Sequence, residues 1–239
     1  MFEGTTVIMV SAALAGGGSL LLFGVFLFLG PLDLFRAGWS ETSVLSWDTV
    51  LSLLFFVQHS GMLRKGFRAR LASLVPRPYH GALYAIGSGA MLTVVVGLWQ
   101  SSSTWVYGFE GIPRLTMRGL FLLAMAGFAW GISRLRSFGP LGLAGIGAHF
   151  HKKAPGQHNL VVAGPYLWVR HPLYFFSILL IWSCPDLTSD RLLFNILWTS
   201  WIFLATFLEE ADLVAEFGDA YRDYQRKVPR LFPWRLPRS

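Results

Sequence analysis

Arg170 and His171 stand side by side immediately before Pro172 and an apolar run. Glu209 and Glu210 stand side by side at the end of the apolar run that follows. A permanently charged guanidinium, an imidazole that titrates near neutrality and two carboxylates are groups that bind a charged ligand, orient it and move protons on it. Tyr166, Trp168 and Tyr174 add aromatic faces in the same stretch, and such faces attract cations. Gly164-Pro165-Tyr166 reads as a turn, and Pro172 suits the first turn of a helix, where its missing N–H costs nothing. Arg170 and His171 are therefore expected just before a helix N-terminus at a bilayer surface. The same residues also fit a plainer description, a basic anchor with interfacial aromatics. Glu209-Glu210 likewise reads as a solvated helix end, as the counter-charge to the cationic pair, or as acceptors for the hydroxyls of a ligand.

The elements that must position these groups follow from composition. Of 239 residues, 54% are hydrophobic and 14% charged, too apolar for an ordinary soluble domain. The expected fold class is an all-α integral membrane protein. A net charge of +7 would suggest nucleic acid in a soluble chain, but here the basic residues lie in connections between apolar runs and read as an orientation signal.

The first apolar run, Thr5 to Gly30, lacks a basic start and is too long for a signal core, so it is read as a retained helix. As a helix it covers about 39 Å, enough to cross the roughly 30 Å hydrocarbon layer with tilt. Its glycines should permit close helix packing. Further helices are expected over 44–62, 80–100 and 115–132, then a short hairpin of 172–184 and 192–208 around Pro185-Asp186, whose first arm need not cross completely. This makes about six transmembrane helices. The connections at 63–79 and 133–170 are rich in Lys and Arg, and those at 31–43, 101–114 and 185–190 are poor in them. The positive-inside rule then puts both termini and the candidate residues on the cytoplasmic side. Residues 209–227 run from acidic to basic, with Leu213, Phe217, Tyr221 and Tyr224 at helical spacing, and are expected to form a cytoplasmic C-terminal helix broken near Gly218. The division expected is 1–132 for four amino-terminal helices and 133–239 for the chemistry-bearing region.

The remaining candidates have bland explanations. Cys184, the single cysteine, excludes an intramolecular disulfide and reads as a buried thiol. His149 and His151 lie in a basic loop without a nearby carboxylate and fit an interfacial role better than a metal site, so no metal is expected. His59 and His80 flank the basic loop at a membrane boundary, where an axial haem ligand is the competing reading.

Taken together, His158, Leu160, Val161, Gly164-Pro165-Tyr166, Val169-Arg170-His171-Pro172 and Tyr174 form the first of two separated motifs. Glu209-Glu210, Leu213, Phe217-Gly218, Tyr221, Tyr224 and Val228-Pro229 form the second. The pair resembles the membrane methyltransferases related to isoprenylcysteine carboxyl methyltransferase and the phospholipid N-methyltransferases. Gln58-His59-Ser60, Val75-Pro76 and Cys184-Pro185-x-Leu187-Thr188 resemble more loosely the bacterial methanethiol S-methyltransferase branch. Two features depart from that branch: the loop from Phe138 to Leu143, and Phe176 where many relatives carry Gly.

The resemblance implies S-adenosylmethionine as cofactor and no Rossmann domain, and no Gly-rich dinucleotide fingerprint is evident. It implies a pocket formed by His158, Leu160, Gly164, Tyr166, Arg170, His171, Tyr174, Glu209 and Glu210, with Tyr221 and Tyr224 as lid candidates. Arg170, His171 and Glu210 are the candidate catalytic residues, with Arg170 holding an anionic acceptor and His171 orienting it or taking a thiol proton.

The expected acceptor is a small or lipophilic thiol, methanethiol going to dimethyl sulfide, in a bacterial inner membrane. The competing readings are carboxyl methylation of an isoprenoid or lipidated substrate, N-methylation of a lipid amine, and a non-enzymatic haem-binding or transport-associated membrane protein. No nucleic-acid partner is expected.

Overall fold

A computed structural model of the chain describes residues 2–135, 139, 141–150 and 160–235. In chain order the helices are α1 (Phe2–Ser11), α2 (Gly18–Leu29), α3 (Glu41–Leu63), α4 (Lys65–Leu74), α5 (His80–Leu98), α6 (Gly111–Arg134), α7 (Ala144–Phe150), α8 (Pro172–Trp182), α9 (Ser189–Phe217) and α10 (Asp219–Lys227). A π-helical stretch, Ala12–Gly17, links α1 to α2. Short strands β1 (Trp105–Gly108) and β2 (Asp186–Thr188) form a two-stranded sheet that the hydrophobic pattern did not suggest. The fold is thus helical, as expected, with no Rossmann sheet among the described residues.

Among the described residues, four helical stretches are long and apolar enough to cross a membrane: Gly4–Leu29, Arg77–Leu98, Gly111–Arg134 and Ser189–Phe217. α3 has the length, but Asp48, Gln58 and His59 lower its apolar character. α8, with 11 residues, reaches only about 16 Å, half the hydrocarbon thickness. The hairpin is therefore unequal. Its second arm, expected to stop at Leu208, continues through Glu209 and Glu210 to Phe217. Carboxylates do not end a helix when their charge is met, and the stop comes where Gly218 takes φ +57°, a conformation that L side chains rarely adopt. The break expected at Gly218 is present, and α10 starts just after it. α4, an amphipathic helix, occupies the basic connection at 63–79, where the hydropathy pattern implies only a loop.

The chain divides into two compact units. The first holds residues 1–106, 137–157 and 188–194. Here α5 packs on the π-helical stretch, α2 and α3. Gly16 lies against Ala85, and a Cβ on Gly89 would collide with the Ala15 backbone, so the glycine-rich run does serve close packing. At one end of this unit, Asp190 accepts hydrogen bonds from Trp99 Nε1 (3.0 Å), Ser102 N (2.9 Å) and Thr188 Oγ1 (2.6 Å). Asp48 accepts from Gln100 N (3.0 Å), and Gln100 Oε1 accepts from Ala37 N (3.0 Å). The buried Arg191 donates to the carbonyls of Phe26 (3.0 Å) and Leu27 (2.7 Å) in the last turn of α2, where Phe26 also accepts from Gly30 N. Segments of the three connections poor in Lys and Arg thus meet at one end. At another place in this unit Gly142 touches the Gly81 backbone and Gly145 the Pro78 carbonyl, joining segments of the two basic connections.

The second unit holds residues 107–136, 158–187 and 195–239. α6 and α8 pack through small-to-large contacts: Phe176 fills the space over Gly127, and Leu173 that over Gly131. Phe176, unusual by resemblance, thus has a local partner that lacks a side chain. Arg114 forms a two-pronged pair with Asp186 (2.9 and 2.7 Å). Cys184 is buried, as expected of a lone thiol, and Asn195 Nδ2 lies 3.6 Å from its sulfur.

The glycine contacts make one prediction. Gly89→Ala places a methyl against backbone that cannot yield and should cost about 1–3 kcal/mol, whereas Gly119→Ala, which meets open space, should not destabilise. Thermal unfolding of the two variants in detergent checks this, and equal midpoints would remove the close approach.

Candidate functional site

Glu210 is the point where the carboxyl-terminal segments converge. Its side chain is only 7% exposed, although it lies on a helix that is otherwise apolar for most of its length. Arg170 Nε donates to Glu210 Oε1 at 2.7 Å and Nη2 lies 2.6 Å from the same oxygen. His171 Nε2 is 3.3 Å from Oε1, while Gln225 Nε2 donates to Oε2 at 3.1 Å and Arg230 Nε lies 3.4 Å from it. Both carboxylate oxygens are thus covered. A buried carboxylate removed from water is tolerable only with partners of this kind.

Arg170 reaches Glu210 because the backbone before α8 is held in place. Gly164 takes φ +61° at the start of a 3₁₀ turn, Gly164–Leu167, with Arg134 and Trp130 against its α-carbon. A side chain there would be both strained and crowded. His171 precedes Pro172, which opens α8 as the sequence implied. The backbone N–H groups of Arg170 and His171 donate to the carbonyls of Pro229 (2.9 Å) and Arg230 (3.1 Å). Arg170 Nη1 also donates to the carbonyls of Gln225 (2.9 Å) and Val228 (2.6 Å). Most of the five guanidinium N–H groups are therefore spent on protein acceptors. Tyr224 Oη donates to the Tyr166 carbonyl at 2.5 Å and ties α10 to the 3₁₀ turn.

His171 has a carboxylate at each ring nitrogen: Glu210 at Nε2, and Glu209 Oε2 3.5 Å from Nδ1. Only the imidazolium presents a proton to both. Burial alone would push its pKa down, but the hydrogen bonds and charges of Glu209 and Glu210 outweigh burial and hold it above the usual histidine range. Tyr174 stacks on the ring, with centroids 5.6 Å apart. Burial also pushes the phenols of Tyr166, Tyr221 and Tyr224 up, with nearby carboxylate or tyrosine charge adding to it, so all three stay neutral hydroxyls.

Two groups keep capacity for a ligand. Glu209 is 44% exposed, unlike its neighbour. The Tyr221 hydroxyl is enclosed without a well-formed hydrogen bond among the described residues, its nearest polar neighbour being the Arg170 guanidinium, whose N–H groups and charge favour its oxygen. A polar cation with hydroxyls fits this set: the carboxylate and aromatic faces suit its charge, and the orphan phenol its polar atoms.

The expected residues are therefore mostly assembled. Gly164, Tyr166, Arg170, His171, Tyr174, Glu209, Glu210, Tyr221 and Tyr224 lie in one unit: Arg170 and His171 meet the Glu210 carboxylate, Glu209 and Tyr174 meet the His171 ring, Tyr224 binds the Tyr166 carbonyl, and Gly164 opens the turn that carries Tyr166. Leu160 is half-buried in the same unit, and His158 lies outside the described residues. Gln225 and Arg230 were missed. Arg230 left a trace, a cation directly after Val228-Pro229 with no assigned counter-charge. The carbonyls of Gln225, Val228, Pro229 and Arg230 have no side-chain signature. Of the other histidines, His59 faces Tyr84 Oη (2.8 Å from Nε2) and Ser88 Oγ (3.2 Å from Nδ1), and His80 Nε2 donates to the Val75 carbonyl (2.9 Å). His149 is exposed, and His151 lies outside the described residues.

Two outcomes follow from this geometry. Glu210→Gln leaves Arg170 without its counter-charge and should cost about 3–5 kcal/mol where the site is closed. It should make trypsin cut α10, at Arg222 or Arg226, faster than in the wild type, and unchanged cutting would remove the clasp. For His171 the folded pKa is raised above 6.5, so its contribution to stability is complete below that pH and is lost as pH rises through the folded value. Between about pH 6 and pH 9 the wild type should lose thermal stability relative to His171→Gln; parallel curves would mean a neutral ring.

Comparison with known proteins places the chain. No protein-family model matches it, and no solved structure does. It is 36% identical over 193 residues to a methanethiol S-methyltransferase from a Pseudomonas species, covering 79% of this chain and 73% of that one. It is 31% identical over 196 residues to a methanethiol S-methyltransferase of Crocosphaera subtropica, covering 82% and 77%. A more distant likeness, 28% over 206 residues and 74% of each chain, is to Nurim of Rattus norvegicus. At this identity and coverage, the likeness carried by the two carboxyl-terminal motifs becomes an assignment: the chain belongs to the methanethiol S-methyltransferase family.

Proposed function

We propose that this membrane methyltransferase transfers a methyl group from S-adenosylmethionine to methanethiol, giving dimethyl sulfide, and that residues 133–239 hold the chemistry. The observation that carries the reading is the closure of two separated motifs on Glu210, in a chain resembling methanethiol S-methyltransferases over about four-fifths of its length. The charge pattern of the connections supports a cytoplasmic site and cytoplasmic termini in a bacterial inner membrane.

When bound, S-adenosylmethionine supplies a methyl group already activated on a sulfonium sulfur. The protein's task is then to align an acceptor lone pair with that carbon and to keep water away. Glu209, with its exposed carboxylate, and the Tyr221 hydroxyl are assigned to hold the donor, and Tyr166 and Tyr174 offer their faces to its cation. Arg170 and Glu210 are assigned to position the site, since their polar atoms are spent on one another and on the tail. His171, carrying a proton toward both carboxylates, is read as an orienting imidazolium rather than the base that takes a thiol proton.

The test is dimethyl sulfide in the headspace over membranes given methanethiol and S-adenosylmethionine. Arg170→Ala and Glu210→Ala should lower its formation about a hundredfold or more while protein remains in the membrane. Glu209→Gln should raise the KM for the donor more than it lowers kcat. Full activity in both alanine variants would undo the site assignment, and absence of dimethyl sulfide from the wild type would undo the acceptor.

A further inference from the structure

Next to the Glu210 clasp, on the side of the tail, lies a cavity of about 450 Å³. Arg170, Gln225 and Arg230 of the clasp border it, none of them assigned above to hold the donor; its other cations among the described residues are Arg226 and Arg235, and no carboxylate is among the described lining residues. The four positive charges meet two carboxylates: Glu210 is shared by Arg170 and Arg230, and Asp223 pairs with Arg226. Two positive charges are therefore left over at the wall of a single cavity. A cationic sulfonium donor is the wrong ligand for such a wall, and an anion is the right one.

The apolar part of the lining says what carries the anion. Phe203 projects from α9, the long apolar helix, and Phe232 and Trp234 are 51% and 66% exposed. Arg230 lies over the Phe207 ring, 3.9 Å from its centroid, also on α9. Arginine beside exposed tryptophan and phenylalanine, at the end of a helix that can span the bilayer, is the composition of the headgroup region. The volume lies within the usual range for small-ligand sites.

We propose that this cavity binds the phosphate of an anionic phospholipid, with the acyl chains lying along the Phe203 and Phe207 face of α9. Arg226 and Arg235 contact the phosphate from the open side, and Trp234 and Phe232 flank the glycerol region. The lipid would thereby tie the tail, and with it the Pro229 and Arg230 carbonyls that hold Arg170 and His171, to the membrane surface. The binding itself is independent of the methyl-transfer reading, because it needs neither donor nor acceptor.

The test is native mass spectrometry of the full chain, released from detergent, titrated with phosphatidylglycerol or phosphatidylcholine without any methyl donor. Phosphatidylglycerol should be retained and phosphatidylcholine should not. Arg226→Gln/Arg235→Gln should weaken retention roughly twenty-fivefold, since each basic group near a charged lipid contributes about fivefold. Arg226→Lys/Arg235→Lys should keep most of it, and Arg68→Gln/Arg70→Gln on α4 should leave it unchanged. Equal retention of the two lipids, or equal retention by the Gln pair, overturns the proposal. So does loss of the lipid to millimolar inorganic phosphate, which would mean a site for the free anion, or competitive loss to S-adenosylhomocysteine, which would make the cavity part of the donor site.

Discussion

One buried carboxylate organises the carboxyl-terminal part of this protein. Glu210 gathers Arg170, His171, Gln225 and Arg230. Isolated in a low-dielectric setting, its charge would be prohibitive; surrounded by two guanidiniums, an imidazolium and an amide, it becomes a cross-link between segments far apart in sequence. The cross-link is specific because a guanidinium has a fixed fork. Arg170 turns one edge to the carboxylate and another nitrogen to the carbonyls at the end of α10, so the segment before α8, the last turns of α9 and the tail are placed together. Lysine offers the charge without the fork and could not make this set of contacts.

The sequence made the side-chain half of this arrangement readable. Arg170-His171 and Glu209-Glu210 stood out because charged pairs at the borders of apolar runs are few, and because the Gly-Pro-Tyr turn and Pro172 fixed where the chain enters α8. The backbone half was hidden. Carbonyls at Gln225, Val228, Pro229 and Arg230 exist in any sequence, and only the fold decides which of them face an arginine. The end of α9 was misplaced for a related reason: a run of acidic residues looks like a boundary when counted by hydropathy, yet hydrogen bonding carries the helix through it and Gly218 ends it.

The amino-terminal unit shows the other limit of pattern reading. Its glycine-rich first helix signalled close packing, and Gly89 and Gly16 supply it. Asp48, Gln100, Asp190 and Arg191 gave little signal, since single polar residues at the ends of apolar runs look like ordinary solvated boundaries. They are instead enclosed, and between them they satisfy the Trp99 indole, the Ser102 amide and the last carbonyls of α2. In a bilayer such polar termini need internal partners, which is the physical reason for burying acids and an arginine where composition alone suggests a loop.

The division between Glu209 and Glu210 follows from helix geometry. Successive residues on an α-helix point about 100° apart, so two adjacent carboxylates cannot face the same surroundings. Glu210 turns inward and is saturated; Glu209 turns toward water and touches the protein through His171. The His171 ring between them, whose protonated form both carboxylates favour, couples the two. Its charge is held by the inner carboxylate and extended to the outer one, so it orients Glu209 without neutralising its exposed side. In the proposed reading, a ligand cation would meet a carboxylate already oriented by the clasp. The acidic pair is then two parts with separate tasks, the inner one building the wall and the outer one facing what the wall encloses.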